Sequence, residues 1–293
     1  MTIVSEPPPS APPLSVDRPS RASMTAFVAP AKRGILGRQI DSAIEFLGQV
    51  GQAADMSFGA ARALFRRPIE WREFIHQLET LGVASVGIVA VTSLFIGMVM
   101  SVQFAFGLRK FGGMEYTGRV VGLSFIRELA PTLTAVIVGG RIGAGMAAEV
   151  GAMVVTEQID AVRALGADPY KKLVLPRLVA SIIVMPIVAT IALVLGFAGA
   201  MFITDLEFGI PASFFLHSAL TSIGLQDFLS GMFKTPFFGA IIAIVGCHCG
   251  LQTRGGTAGV GNSTTRTVVV VAITILIADL ILTKVAIALF PYL

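Results

Sequence analysis

The stretch EVGAMVVTEQIDAVRALGADPYKKLVLP, residues 149–176, decides how the chain is read. It is the most polar run in an otherwise apolar sequence, and long apolar segments lie on both sides of it. The 293 residues are 54% apolar and only 14% charged, with a mean hydropathy of +0.80. A soluble domain carries about 25% charged residues, so the charge here is too thin to cover a water-facing surface. The chain reads as an all-α integral membrane protein, with residues 149–176 exposed between two crossings. The net charge of +4 is small. Without a basic groove or interleaved aromatics it makes no case for nucleic acid.

Inside the stretch, TEQIDAVRALG has a polar start and an apolar stripe at Ile159, Val162 and Leu165. Thr156 is placed to cap this helix by accepting an orphan backbone N–H. Gly166 suits the left-handed residue that ends a helix, and Asp168-Pro169 forbids its continuation. The Leu175-Pro176-Arg177 run then returns to apolar sequence. So short a helix is marginal in water on its own, yet it has deliberate stops. Docking into another protein would explain them; a structured loop without a partner is the plainer alternative.

Roughly 20 apolar residues cross a bilayer as a helix. Five segments qualify, at about 81–106, 118–148, 173–204, 228–250 and 268–290. Residues 205–227 hold Asp205, Glu207 and Asp227 without a Lys or Arg, whereas 251–267 hold Arg254 and Arg266 without an acid. Positive residues mark the cytoplasmic side, which puts the N-terminus and the charged stretch inside and the C-terminus outside. Arg109, Lys110 and Arg119 run against the rule. Ahead of the crossings, residues 1–36 are rich in proline and read as a disordered tail. Residues 37–78 alternate apolar and basic positions, as in a helix lying in the membrane interface; a soluble hairpin is the alternative. Residues 79–293 form the transmembrane domain.

Charged residues inside a crossing cost roughly 2.5–3.5 kcal/mol each and so face a bundle interior or a cavity. Arg127 and Glu128 lie in the second crossing just before Pro131, with Lys234 in the fourth and Asp279 in the fifth. Neighbours on a helix point about 100° apart, so Arg127 and Glu128 need separate partners. They either fix helix packing or line a lipid cavity. Pro131 should loosen the helix beside them. Gly139, Gly143, Ala147 and Gly151 repeat every four residues, a stripe that lets helices approach closely in lipid, within one chain or between two. In the first crossing Leu94, Met98 and Gln103 either line an acyl-chain surface, which flexible Met suits, or serve ordinary packing. Cys247 and Cys249 flank His248, but structural zinc takes four ligands, so no metal site is expected.

VVTEQIDAVRALGADPYKKLVLPR resembles the signature of the MlaE/YrbE family, the permease subunits of ABC-type lipid transporters that work with Mce proteins. LSFIRELAPTLTAVIVGGRIGAGMAAEVGAM, residues 123–153, is similar to that family's second crossing, and TAGVGNSTTRTVVVV, residues 257–271, to the segment leading into its last helix. The resemblance runs from about residue 38 to 290. It implies a homodimeric permease in the inner membrane, two cytoplasmic P-loop ATPase subunits, a periplasmic or surface Mce-domain partner, and phospholipid or a related hydrophobic substrate. It also implies that the charged stretch is a coupling helix, contacting the ATPase through Glu157, Gln158, Asp160, Arg163 and Asp168. The chain has no GxxxxGK[ST] loop to cradle phosphates, so ATP and Mg would be bound by the partner ATPase and no cofactor by this chain. A permease for a small polar solute is the nearest rival. An intramembrane enzyme has less in its favour, for the crossings hold no Ser/His dyad, HExxH or paired aspartates.

Overall fold

A computed structural model describes residues 71–289. Residues 1–70, including the expected tail and most of the expected interfacial segment, lie outside the described residues. Among those described the chain is helical, without a strand. Five stretches are long and apolar enough to cross a membrane, at Arg72–Arg109, Met114–Val155, Tyr170–Phe208, Leu225–Leu251 and Gly256–Ala288.

The first stretch joins α1 (Trp71–Leu78) through a π-helical turn (Glu79–Val83) to α2 (Ala84–Arg109). The second begins with a 3₁₀ turn (Met114–Tyr116) and α3 (Thr117–Ser124), widens into a π-helical segment (Phe125–Leu133), and ends as α4 (Thr134–Val155). The short α5 (Gln158–Ala164) follows. A π-helical turn (Tyr170–Val174) then opens α6 (Leu175–Phe208). Next come α7 (Ala212–Leu220), α8 (Leu225–Leu251) and α9 (Gly256–Leu289).

Proline explains the widened segment. Pro131 has no N–H to offer the Arg127 carbonyl four residues back, and its ring crowds that turn. The backbone relaxes into π geometry across Phe125–Leu133 without breaking the helix. Pro236 in α8 frees the Met232 carbonyl in the same way; there the Thr235 hydroxyl donates to it at 2.8 Å. Such local repair lets proline persist in a membrane helix.

Small residues set the packing. Ser85, Val89, Ser93, Gly97, Ser101 and Ala105, four apart along α2, are all buried, and a side chain at Gly97 would overlap the Gly196 carbonyl of α6. Helices α4 and α8 meet through Gly246 and Gly250. Helix α8 also presses Gly239 against the Ser181 carbonyl of α6. The largest cluster of buried side chains joins α4, α6 and α8, while α2 and α9 show long apolar faces outward.

Two features depart from the hydropathy reading. Helix α9 starts at Gly256, a full three turns before the apolar segment expected from 268. Its leading Thr and Ser residues stay helical because their hydroxyls bond back to the helix, Thr264 to the Gly261 carbonyl at 2.7 Å and Thr267 to that of Ser263 at 2.7 Å. The expected loop 205–227 contains α7, whose fully buried Phe215 packs over Gly118 of α3.

Candidate functional site

Chemistry-bearing residues gather at three levels. At the α7 end, Arg127 donates from Nε to Asp227 Oδ1 at 2.7 Å and forms an ion pair with it. Asp227 is buried and also accepts the Gly224 backbone N–H at 2.7 Å, which closes the first turn of α8. Charge alone assigns Asp227 to the expected external loop 205–227. Its spacing from Gly224 was the available signal, because an acid three residues after a helix-starting residue reaches back to the free N–H groups there.

Deeper in the bundle Lys234, only 2% exposed, gathers the other charges. Its ammonium donates to Glu128 Oε1 at 2.8 Å, Thr283 Oγ1 at 2.7 Å, Asp279 Oδ1 at 3.1 Å and the Arg127 carbonyl at 3.3 Å. That last acceptor is the carbonyl deprived of its helix partner by Pro131. The Thr283 hydroxyl in turn donates to Glu128 at 3.1 Å. An ammonium has three protons, and this one is saturated. The structure therefore brings Glu128, Lys234 and Asp279 into one cluster across the π-helical segment, α8 and α9, and gives Arg127 a separate partner.

At the opposite end Arg177, nearly fully buried, donates to the Leu173 carbonyl at 2.8 Å and to Glu149 Oε2 at 2.9 Å. This pair ties α4 to α6 on either side of α5. Thr156 does not cap α5: its hydroxyl donates to the Ala152 carbonyl at 2.8 Å and finishes α4. The cap position is Glu157, in the left-handed region at φ 58° and without a side-chain cap. The chain leaves α5 by a Schellman turn. Gly166 at φ +73° donates to the Arg163 carbonyl and Ala167 to that of Val162. Asp168 then accepts the Tyr170 N–H at 3.0 Å, opening the next helix.

Ile159 is the buried anchor of α5, whereas Glu157, Gln158, Asp160, Arg163 and Asp168 are all exposed. Leu165, 86% exposed, is the apolar residue left without cover. The exposed Arg163–Asp160 pair, 3.0 Å apart, contributes little, as surface pairs do.

The small-residue stripe of α4 packs within the chain. Gly139 faces Ile242 and Ile275, Gly143 faces Val271 and Thr267, and Gly151 faces Thr253; Ala147 is fully buried. A crevice between α2, the π-helical segment, α4 and α6 is lined by Thr92, Ser93, Ile96, Phe125, Leu129 and Thr134, among others. Leu94, Met98 and Gln103 do not line it: Leu94 packs its backbone against Gly199, and Gln103 is exposed. No group of three or more His, Cys, Asp or Glu among the described residues is arranged to hold a metal.

Five apolar crossings packed through glycine, with Arg127, Lys234 and Arg177 each paired to an acid, define a multi-pass membrane protein. Residues 74–285 match the family described as Permease MlaE, and the chain belongs to that family. A probable ABC transporter permease protein of Synechocystis sp. is 41% identical over 214 residues, covering 73% of this chain and 81% of its own. One from Rickettsia typhi is 38% identical over 241 residues, covering 82% and 93%. Protein TRIGALACTOSYLDIACYLGLYCEROL 1, chloroplastic, of Arabidopsis thaliana is 39% identical over 221 residues. That match covers 75% of this chain and 63% of the plant protein, so the chain spans less than two thirds of the plant protein's length.

Proposed function

We propose that the chain is the membrane subunit of an ABC transporter that moves phospholipid or a related hydrophobic substrate. In this reading two copies lie in the cytoplasmic membrane, each N-terminus inside and each C-terminus outside. Two P-loop ATPase subunits bind ATP and Mg beneath them, and an Mce-domain protein receives or delivers lipid on the far side. Support for the transporter class comes from the permease relatives, and for a lipid substrate from the galactolipid word in the plant relative's name.

The observation that carries the coupling reading is α5 itself. It is anchored by one buried residue, Ile159, stopped at both ends, and shows charge and Leu165 outward. Glu157, Gln158, Asp160, Arg163 and Asp168 are the contacts through which ATPase movement would reach α4 and α6. The Glu149–Arg177 pair links those two helices just behind it. The Lys234 cluster acts as a lock between helices, because its ammonium has no donor left for a phosphate.

The test is reconstitution of the full complex in proteoliposomes with the Glu157→Ala and Arg163→Ala variants. Lipid transfer and lipid-stimulated ATP hydrolysis should fall together by about tenfold, the size expected when charged contacts at an interface are lost. Insertion and yield should not change. Transfer at the wild-type rate in both variants would remove α5 from the coupling path.

A further inference from the structure

Arg141 is a cation of the second crossing that the proposed mechanism leaves unused. It sits on α4, exposed, and among the described residues no carboxylate pairs with it. Its protein partner is the Ser85 hydroxyl of α2, which accepts from Nη1 at 2.8 Å. Ser85 is fully buried and donates its own proton to the Leu81 carbonyl at 2.7 Å. The hydroxyl is thereby turned to present a lone pair to Arg141 and hold the guanidinium in place. Among the described residues the other N–H donors of Arg141 meet no acceptor.

The guanidinium borders an open cleft of about 240 Å³ between the α1 end of the first crossing and α4, lined by Gln77, Thr80, Leu81, Arg141, Gly145 and Glu149 together with Ile142 and Met146. Glu149, the cleft's acid, already pairs with Arg177. Among the described residues the positive charge of Arg141 therefore remains uncompensated.

Depth identifies the missing anion. About 10 Å of α8 separates Asp227, at the α7 end, from Lys234, and about 20 Å of helix separates Glu128 from Arg141, at 1.5 Å per residue. Because Glu128 pairs with Lys234 and Arg127 with Asp227, Arg141 lies about 20–30 Å from the level of Asp227, toward the far edge of a hydrocarbon core about 30 Å thick. From there its long side chain reaches toward the lipid phosphates of the leaflet on the α5 side. An arginine fork matches phosphate oxygens in pairs.

We propose that the cleft between α1 and α4 docks the phosphate of a phospholipid from the leaflet on the α5 side, with Arg141 as the anion-binding group and Ser85 as its positioning residue. Binding stands on this geometry alone; only the description of the bound lipid as cargo rests on the transport reading.

Gly145 offers the probe position, because a side chain there meets nothing within 4 Å. Full-length protein carrying benzoylphenylalanine at residue 145 is placed in nanodiscs with tracer ³²P-phosphatidylglycerol and irradiated, without ATP or partner proteins. Lipid should crosslink, and Arg141→Gln should lower the yield about tenfold, as expected for loss of a charge-assisted contact. Arg141→Lys should retain part of the yield, since it keeps the charge and loses the fork. Inorganic phosphate should not compete, and tritiated diacylglycerol should not label. A free-phosphate site would instead be cleared by inorganic phosphate, which overturns the lipid assignment. Equal yield in Arg141→Gln, or crosslinks to residues 1–70 or to a second copy in place of lipid, overturns the proposal. If Arg141→Gln does not fold, Ser85→Ala and Arg141→Lys carry the comparison. The transport reading fails separately, by absence of lipid transfer from the complete wild-type complex.

Discussion

Lys234 shows how much one residue decides. A buried ammonium between Glu128 and Asp279 is tolerable because each of its protons has an acceptor, one of them the carbonyl that Pro131 sets free. Lys234→Met leaves two carboxylates facing each other without a cation, and removal of one partner from a buried ion pair costs about 3–5 kcal/mol. We expect a clear fall in the thermal unfolding midpoint in detergent. Adding Glu128→Gln and Asp279→Asn to the same variant should restore most of it. No recovery would mean that packing, and not charge, explains the loss. Glu157 makes the opposite case. A non-glycine residue held at φ 58° stores about 1–3 kcal/mol of backbone strain. Glu157→Gly should therefore raise the midpoint while weakening ATPase coupling, a split that a merely structural residue would not give.

At the scale of elements, the crossings are held by how near their backbones come. Alanine at Gly97 would drive its methyl into the Gly196 carbonyl and force α2 away from α6. Overpacking of this kind costs about 1–3 kcal/mol. Gly87→Ala, on the open face of the same helix, has nothing within 4 Å to meet and should be neutral or slightly stabilising. Comparison of the two by chemical denaturation separates packing from helix propensity; equal effects would refute the close-approach account. The four-residue spacing of Gly139, Gly143, Ala147 and Gly151 announced a seam from sequence. Its partners, Ile242, Thr267, Val271 and Ile275, depended on where α8 and α9 cross.

For the whole molecule, the proposed orientation places α5 and α7 on opposite sides of the membrane. Cys247 and Cys249 are buried, so a single cysteine introduced at Ala161 or Ser213, both exposed, reports its own side. An impermeant thiol reagent applied outside intact cells or spheroplasts should label Ser213→Cys and spare Ala161→Cys until the membrane is opened. Labelling in the reverse order would invert the topology and, with it, the ATPase assignment.

The sequence by itself determined what depends on neighbouring residues: five apolar runs of membrane length, a charged interruption after the second, and a stop at Gly166-Ala167-Asp168-Pro169. Each rests on hydrophobic transfer or on a local backbone rule, and both act within a few turns of chain. The pairing of Arg127 with Asp227, a hundred positions apart, was decided only by the tertiary structure. So were the wide π-helical segment around Pro131, the folding of residues 205–227 over α3, and an arginine on α4 left without a carboxylate among the described residues. An ion pair or a cleft forms where helices meet, and meeting points follow from the summed packing of small residues on several helices, which no single stretch contains.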